Sequence, residues 1–322
     1  MTAVLSAAPR IADYEIVGPE HAPVVLALGG ISATRHVVRN ERDSSPGWWE
    51  GIAGSERPID TTRFRVLSVD FRDGGRARDG RPAGIVTTHD QAARIIEVLD
   101  ELEIAQLNAV VGASYGGMVS LALAERWPAR VEKLVVISAA HEPHPMSVGL
   151  RAVQRRIVEL GLETGRGAEA MALARAIAMT TYRTAREFSG RFDVIPDVSE
   201  RNAEFEVERY LIAAGDKFAA RMRPERFLSL SLSVDLHRVV PESIVVPTTV
   251  IAAQGDTLTP PAQLRAMSER LPQLVAFHVL QTRFGHDAFL AEQRRLGKLL
   301  TALLAEPLMA PLTTPLTTTL AD

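Results

Sequence analysis

Ser114, Asp256 and His286 are the residues of this chain best suited to covalent chemistry. Ser114 lies in the pattern Gly112-Ala113-Ser114-Tyr115-Gly116, in which small neighbours allow a serine to occupy a sharp, strained turn. The apolar run before this pattern predicts a strand, and residues 118–127 predict a helix whose N-terminal N–H groups point toward the group that the serine attacks. This context favours Ser114 as a nucleophile over the alternative, a glycine-rich turn with an idle serine.

Asp256 and His286 follow Ser114 in the order that serine triads use on parallel sheets. Asp256 comes after the predicted strand 245–253, and His286 comes after the predicted strand 275–280. We predict that His286 takes the Ser114 proton, while Asp256 holds the imidazole in the required tautomer and stabilises its cation. Taken singly, Asp256 also fits a helix cap and His286 a loop histidine. Their shared order and position at strand ends favour the triad.

A glycine-rich loop after an early strand predicts the remainder of an oxyanion-binding site. The apolar run 23–28 ends in Gly29-Gly30-Ile31-Ser32-Ala33. A loop in this position can supply one of the two backbone N–H groups that stabilise a tetrahedral intermediate. We predict the N–H groups of Ile31 and Tyr115 as the two donors. The alternative is an ordinary loop between a strand and a helix.

The pattern of elements predicts an α/β fold with a mainly parallel sheet. Strands and helices alternate over residues 23–138, and strand patterns return at residue 245. Between them, residues 146–238 show helical patterns that no strand-like run interrupts, which predicts an inserted helical lid because four helices are too many for one crossover. The four predicted helices cover 148–161, 167–181, 201–222 and 225–237.

The predicted domain organisation therefore has three parts. Residues 1–145 and 239–306 form the core, and residues 146–238 form the lid. Residues 307–322 are rich in proline and threonine, with a repeated Pro-Leu-Thr-Thr, and are predicted to be a disordered tail without a catalytic part.

Composition limits the classes of function. The 322 residues carry a formal net charge of −3, which argues against a nucleic-acid-binding surface. Cysteine is absent, which excludes disulfides, thiolate metal sites and a cysteine nucleophile and is typical of the cytoplasm. No His, Asp or Glu cluster has metal-ligand spacing, and neither a signal peptide nor a membrane span is expected. A cytoplasmic protein without metal or membrane association is the expectation.

Several motifs resemble the homoserine O-acyltransferases of the α/β-hydrolase fold, the MetX-like family. They are spread over about residues 47–291, and the lid motifs and the final one are more specific than the serine pattern. The motifs are Gly47-Trp48-Trp49, Ile59-Asp60-Thr61, Gly112-Ala113-Ser114-Tyr115-Gly116-Gly117-Met118, Ala176-Ile177-Ala178-Met179-Thr180-Thr181-Tyr182-Arg183, Phe205-Glu206-Val207-Glu208-Arg209-Tyr210-Leu211, Gly215-Asp216-Lys217-Phe218 and Gly285-His286-Asp287-Ala288-Phe289-Leu290.

The resemblance implies ping-pong acyl transfer from an acyl-CoA, through an acyl group on Ser114, to the hydroxyl of L-homoserine in methionine biosynthesis. It implies that Arg183 pairs with the carboxylate of the amino acid and Asp287 with its ammonium, that acetyl-CoA or succinyl-CoA is a co-substrate with no further cofactor, and that the protein is a homodimer. One departure is that residues 70–75 differ from the loop usual in the family.

The donor and the reaction class have alternatives. A succinyl carboxylate in a buried pocket needs a cation, and Thr257-Leu258-Thr259 after Asp256 supply none, which favours acetyl-CoA. Arg72 or Arg76 from another loop could serve a succinyl group instead. Outside homoserine acylation, the alternatives are a serine acceptor, a serine esterase or other hydrolase that uses water, and a non-catalytic binding protein of the same shape.

Overall fold

The computed structural model describes residues 13–305 and 316–320. The helices are α1 Thr88–Glu101, α2 Tyr115–Arg126, α3 Pro145–Glu163, α4 Gly167–Tyr182, α5 Ala185–Arg191, α6 Glu206–Ala219, α7 Pro224–Asp235, α8 Pro261–Ser268, α9 Ala288–Ala291 and α10 Gln293–Ala305. The strands are β1 Tyr14–Val17, β2 Val24–Leu28, β3 Ala53–Gly54, β4 Ile59–Asp60, β5 Arg65–Val69, β6 Ala109–Ala113, β7 Leu134–Ile137, β8 Asp197–Val198, β9 Ala203–Glu204, β10 Thr248–Ala253, β11 Leu274–Leu280 and β12 Leu316–Leu320.

The central sheet has the strand order β1-β5-β2-β6-β7-β10-β11-β12. The β1 strand runs antiparallel to β5, and every other neighbouring pair in this sheet is parallel. The α/β fold with a mainly parallel sheet is therefore confirmed. Because parallel strands end at the same edge, the loops after β2, β6, β10 and β11 meet there, and these loops carry all the predicted catalytic groups.

The core lies on both faces of this sheet because successive strand residues point to opposite faces. Along β2, Leu26 and Leu28 pack with α1, α2 and α8, whereas Val25 and Ala27 pack with Trp49 and with α10. Parallel strands covered on both faces are apolar throughout, and all residues of β2 and β6 are buried. This buried sheet is the rigid platform from which the site loops extend.

The chain between β7 and β10 is largely helical, as predicted, but its details differ from the prediction. Its helices pack on one another around a separate apolar cluster. That cluster contains Val158, Met171, Ala174, Met222, Phe227 and Leu228. The prediction missed α5, began α6 too early and wrongly excluded strands, because β8 and β9 form a small antiparallel pair. These elements have only seven and two residues each, too few to produce a clear hydrophobic period.

The end of the chain also differs from the prediction of a disordered tail. Residues 316–320 form β12, which adds a parallel strand beside β11 at the sheet edge. Three consecutive threonines provide the β-branched residues that favour a strand, a signal that the proline content of this segment obscured. The rest of the predicted tail, 307–315 and 321–322, lies outside the described residues.

No helix within the described residues 13–305 has the length and apolar character needed to cross a bilayer. The same residues and 316–320 contain no group of three or more His, Asp or Glu side chains placed to hold a metal ion.

Candidate active site

Ser114 occupies the sharp turn between β6 and α2. Its backbone has φ 54° and ψ −123°, a conformation that side-chain-bearing residues rarely adopt. A Cβ on Gly112 would lie 2.2 Å from the Ser120 hydroxyl, and one on Gly116 would lie 2.5 Å from the Leu28 carbonyl carbon. The small residues of the motif are therefore required by close approach of the backbone, and the turn holds the Ser114 side chain at the edge of the sheet.

Ser114, His286 and Asp256 form a hydrogen-bonded relay. His286 Nε2 lies 2.8 Å from Ser114 Oγ, and His286 Nδ1 lies 2.8 Å from Asp256 Oδ2. The other Asp256 oxygen accepts the N–H groups of Leu258 and Thr259, each at 2.9 Å. With its carboxylate fixed on one side, Asp256 accepts the Nδ1–H of His286 and leaves Nε2 free to accept the Ser114 proton. The structure thus brings together the three residues that the sequence pattern selected.

The surroundings of His286 raise the pKa of its imidazole. Burial alone lowers this pKa, but the charge and hydrogen bond of Asp256 oppose it, and the nearby charge of Asp287 adds to the effect. The outcome is a pKa above the ordinary value of 6.5, although Arg151 acts in the opposite direction. A raised pKa makes the neutral imidazole a stronger base for the hydroxyl proton.

The two residues predicted to supply the oxyanion donors border the cavity that contains the nucleophile. Ile31 and Tyr115 line the same cavity as Ser114, and a Cβ on Gly30 would lie 3.9 Å from Ser114 Oγ. The loop is held in place because Gly116 N–H donates to the Gly29 carbonyl at 2.8 Å. As the first residue of α2, Tyr115 presents an N–H without an intrahelical acceptor, and the Ile31 N–H has no partner among the described residues.

Arg183 and Asp287 contact each other. Arg183 Nε donates to Asp287 Oδ2 at 2.8 Å, and Arg183 Nη1 lies 3.4 Å from Glu187 Oε1. Of the pair, Asp287 is among the residues that line the cavity, whereas Arg183 is not among the described lining residues. The arrangement can therefore offer a carboxylate to a substrate cation, and Arg183 holds that carboxylate in place.

The helical block closes over the triad. Gly255 has φ +72° and Gly285 has φ +56°, and a Cβ at either position would press on Thr184 or on the Tyr182 carbonyl. These two glycines let the end of α4 approach the loops that carry Asp256 and His286. The result is a cavity that is lined by α3 and α4 on one side and by Ser114 on the other.

Sequence analysis did not select several polar residues of this cavity. Among them are Ser138 after β7, Arg151 and Gln154 on α3, and Arg175 on α4. Helical periodicity shows that α3 and α4 form, but it does not show which turn of either helix reaches the triad. Without a motif of their own, these side chains had no signal that distinguished them from solvated lid residues.

Comparison with known proteins places this geometry in a family. The family model described as the alpha/beta hydrolase fold matches residues 23–293. A homoserine O-succinyltransferase of Xanthomonas campestris pv. campestris is 43% identical over 291 residues, which cover 90% of this chain and 78% of the relative. A homoserine O-acetyltransferase of Trichlorobacter lovleyi is 31% identical over 339 residues, and the match covers 92% of each chain. The chain belongs to the homoserine O-acyltransferase family of the α/β-hydrolase fold. The resemblance drawn from its motifs is confirmed.

Solved structures agree on the fold. A homoserine O-acetyltransferase from Bacillus anthracis superposes with a TM-score of 0.81 at 17% identity and covers 92% of both chains. Esterase E22 superposes with a TM-score of 0.80 at 21% identity, and the match covers 90% of this chain and 93% of the esterase chain. Since transferases and esterases share this architecture, the fold alone does not separate acyl transfer to an amino acid from hydrolysis.

The raised pKa of His286 leads to a prediction for pH dependence. His286 must be neutral to accept the Ser114 proton, so acyl-enzyme formation is expected to fall as the pH drops through a value above 6.5. Asp287→Asn removes a charge that raises this pKa, and the acidic limb should move to lower pH. The measurement is the pH profile of kcat/KM for the acyl donor. A limb that stays in place or moves upward in the variant would contradict the assignment.

Proposed function

We propose that this protein is an acyl-CoA-dependent O-acyltransferase that acylates the hydroxyl of L-homoserine. The observation that carries the proposal is the Ser114–His286–Asp256 relay, which faces a cavity roofed by helices. Relatives named homoserine O-succinyltransferase and homoserine O-acetyltransferase support the choice of acceptor. A relative from Streptomyces lavendulae named L-serine/homoserine O-acetyltransferase shows that serine deserves a place in the test.

The first half-reaction would load the acyl group onto the enzyme. Ser114 Oγ attacks the thioester carbonyl carbon while its proton passes to His286 Nε2. The N–H groups of Ile31 and Tyr115 would stabilise the resulting oxyanion. When the tetrahedral intermediate collapses, the C–S bond breaks, and His286 returns the proton to the sulfur of CoA. The products are CoA and an ester on Ser114.

The second half-reaction would use the same groups in reverse order. The L-homoserine hydroxyl gives its proton to His286 Nε2 and attacks the acyl carbon. The bond from the acyl carbon to Ser114 Oγ breaks, and the proton from His286 restores the Ser114 hydroxyl. The products are O-acylhomoserine and free enzyme, and no further cofactor is required by this balance.

Asp287 supports an amino-acid acceptor. Its carboxylate lies in the cavity beside His286, where it suits the ammonium of an amino acid. Arg183 holds that carboxylate from behind. Since a zwitterion carries one charge of each sign, an entering amino acid can exchange contacts with both members of the pair. Direct contact of Arg183 with the substrate carboxylate stays a prediction.

A basic groove next to the cavity supports a phosphate-bearing donor. It shares Ser32 and Arg175 with the cavity and is also lined by Lys217 and Arg221. None of these three cations has a carboxylate partner among the described residues. Arg175 instead lies over the rings of Tyr182 and Phe218, at 4.9 and 4.7 Å. Cations without a carboxylate partner, in a groove that adjoins the cavity of the nucleophile, suit the phosphates of CoA, which a simple ester substrate lacks.

The proposal is tested by measuring release of CoA thiol from acetyl-CoA and succinyl-CoA. Each donor is supplied with L-homoserine, with L-serine and without an acceptor. The expected result is release that depends on an amino acid and is fastest with L-homoserine. Slow release at the same rate in all conditions would contradict acyl transfer and favour the second candidate, a serine hydrolase, which the likeness to esterase E22 keeps in consideration. A homodimer stays a prediction from the family resemblance.

A further inference from the structure

Arg151 has an unsatisfied donor beside the proposed active site. It lies on α3 and lines the cavity that contains Ser114 and His286. Its Nε donates to Asp235 Oδ1 at 2.6 Å, but its buried Nη2 has no hydrogen-bond partner among the described residues. A buried guanidinium nitrogen without an acceptor is costly. The arrangement is therefore that of a donor awaiting an acceptor.

The charge around Arg151 is not balanced locally. Arg155, one turn further along α3, donates to the second oxygen of the same carboxylate, Asp235 Oδ2, at 2.5 Å. The side chains of Arg151, Arg155 and Asp235 are only 15%, 16% and 6% exposed. Two guanidinium groups thus share one carboxylate in a largely buried position, which leaves one net positive charge at the cavity wall.

Two neutral polar side chains also line this cavity without a partner. The Ser138 hydroxyl is buried and has no hydrogen bond among the described residues, and its backbone has φ 48°. The side chain of Gln154, which is 5% exposed, likewise makes no hydrogen bond with a described residue. Together with Arg151 they provide a cation and two neutral donors. An ionised carboxylate, which only accepts hydrogen bonds, matches this set.

The other cations are less suited to this role. Arg175 also lines the cavity, but it lies over the rings of Tyr182 and Phe218 at 4.9 and 4.7 Å and borders the basic groove. Arg72 and Arg76, the candidates suggested by the sequence, pair with acidic residues elsewhere and are not among the described cavity-lining residues. Arg151 is therefore the buried cation best placed to neutralise a second carboxylate.

We propose that Arg151 binds a carboxylate at the far end of the donor's acyl group, so that the enzyme transfers the half-acyl group of a dicarboxylic acid, such as succinyl, in preference to acetyl. This inference rests on the proposed acyl transfer and names its donor class. It departs from the expectation drawn from Thr257, Leu258 and Thr259, because the cation comes from α3 and not from the loop after Asp256.

The test compares acyl-enzyme formation from succinyl-CoA and acetyl-CoA without an acceptor. Thiol release is followed by rapid quench, and the adduct on the full-length protein is identified by intact mass. Arg151→Gln is expected to lower kcat/KM for succinyl-CoA on the order of 100-fold and to change that for acetyl-CoA by less than about threefold. Arg151→Lys keeps the charge without the planar fork and should lie between the two.

Arg155→Gln is the matched control. Both Arg151→Gln and Arg155→Gln leave Asp235 paired with one arginine, so neither variant leaves a buried carboxylate without a cation. Since Arg155 is not among the described residues lining the active-site cavity, its loss should leave the ratio of the two donors unchanged within about threefold. An equal loss of donor selectivity in both variants would overturn the proposal.

Three other outcomes would also overturn the proposal. They are faster acylation of the wild type by acetyl-CoA, an equal loss with both donors in Arg151→Gln, and a raised KM for L-homoserine with unchanged acyl-enzyme formation. The last result would assign Arg151 to the acceptor. Acyl-enzyme formation with succinyl preference but without homoserine-dependent turnover would instead contradict the proposed acceptor. The two failures are therefore distinguishable.

Discussion

Ser114→Ala is expected to lower amino-acid-dependent release of CoA by about 10⁴-fold or more while the protein stays folded. The hydroxyl oxygen is the only non-hydrogen atom removed, and its partner in the structure is His286 Nε2. Without this hydroxyl no acyl-enzyme forms, and the thioester of the donor can react only by direct attack of the acceptor or of water. The measurements are steady-state thiol release and intact mass after incubation with the donor. Turnover within tenfold of the wild type, or an acyl adduct on the variant, would remove Ser114 as the nucleophile.

Ser114→Gly provides the control for folding. Both variants lack the hydroxyl, but glycine adopts φ 54° and ψ −123° without steric cost, whereas alanine keeps the strain of the turn. Strain of about 1–3 kcal/mol in the native state is offset in part by the larger entropy of unfolded glycine, about 0.5–1 kcal/mol. The free energy of unfolding should therefore be about 1 kcal/mol higher for Ser114→Gly than for Ser114→Ala. Equal inactivity with different stability would separate chemistry from folding.

The triad could be predicted because its physical requirements leave traces in the sequence. The turn at Ser114 needs small neighbours, since the backbone of α2 passes close to β2. Asp256 and His286 must each follow a strand, and apolar strands of a parallel sheet are recognisable from their composition. Chain order then selects among the acids and histidines. Local rules thus identified Asp256 and His286, which lie 142 and 172 positions after Ser114 along the chain.

The lining of the cavity could not be predicted in the same way. Arg151 and Arg155 are one turn apart on α3 and share Asp235, yet only Arg151 is among the described residues that line the site. That difference depends on how α3 rotates and packs against α4 and α7, which periodicity does not specify. For the same reason the contact between Arg183 and Asp287, 104 residues apart, has no trace in the sequence. The side chains that line the cavity are therefore selected by tertiary packing, which the sequence pattern does not show.

Asp256→Asn is expected to lower the rate of acyl-enzyme formation by about 10³–10⁴-fold, although the change is nearly isosteric. Asp256 Oδ1 accepts two backbone N–H groups, so the amide oxygen of asparagine would keep that position. Its NH₂ group would then face His286 Nδ1 and require that nitrogen to act as an acceptor. His286 would carry its proton on Nε2, the atom that must receive the Ser114 proton.

The control for this prediction is Asp287→Asn, which removes a neighbouring charge without dictating the tautomer of His286. Both carboxylates raise the pKa of His286, Asp256 more strongly than Asp287, so a purely electrostatic role for Asp256 would move the acidic limb of both variants to lower pH. A tautomeric role predicts a far larger loss for Asp256→Asn in single-turnover acylation, and the loss should persist on the alkaline side of the pH profile. There, protonation of His286 no longer limits the rate. An acidic limb shifted to lower pH, with a plateau rate close to that of Asp287→Asn, would show that Asp256 acts through the pKa alone, because a wrong tautomer cannot be corrected by removing protons from solution.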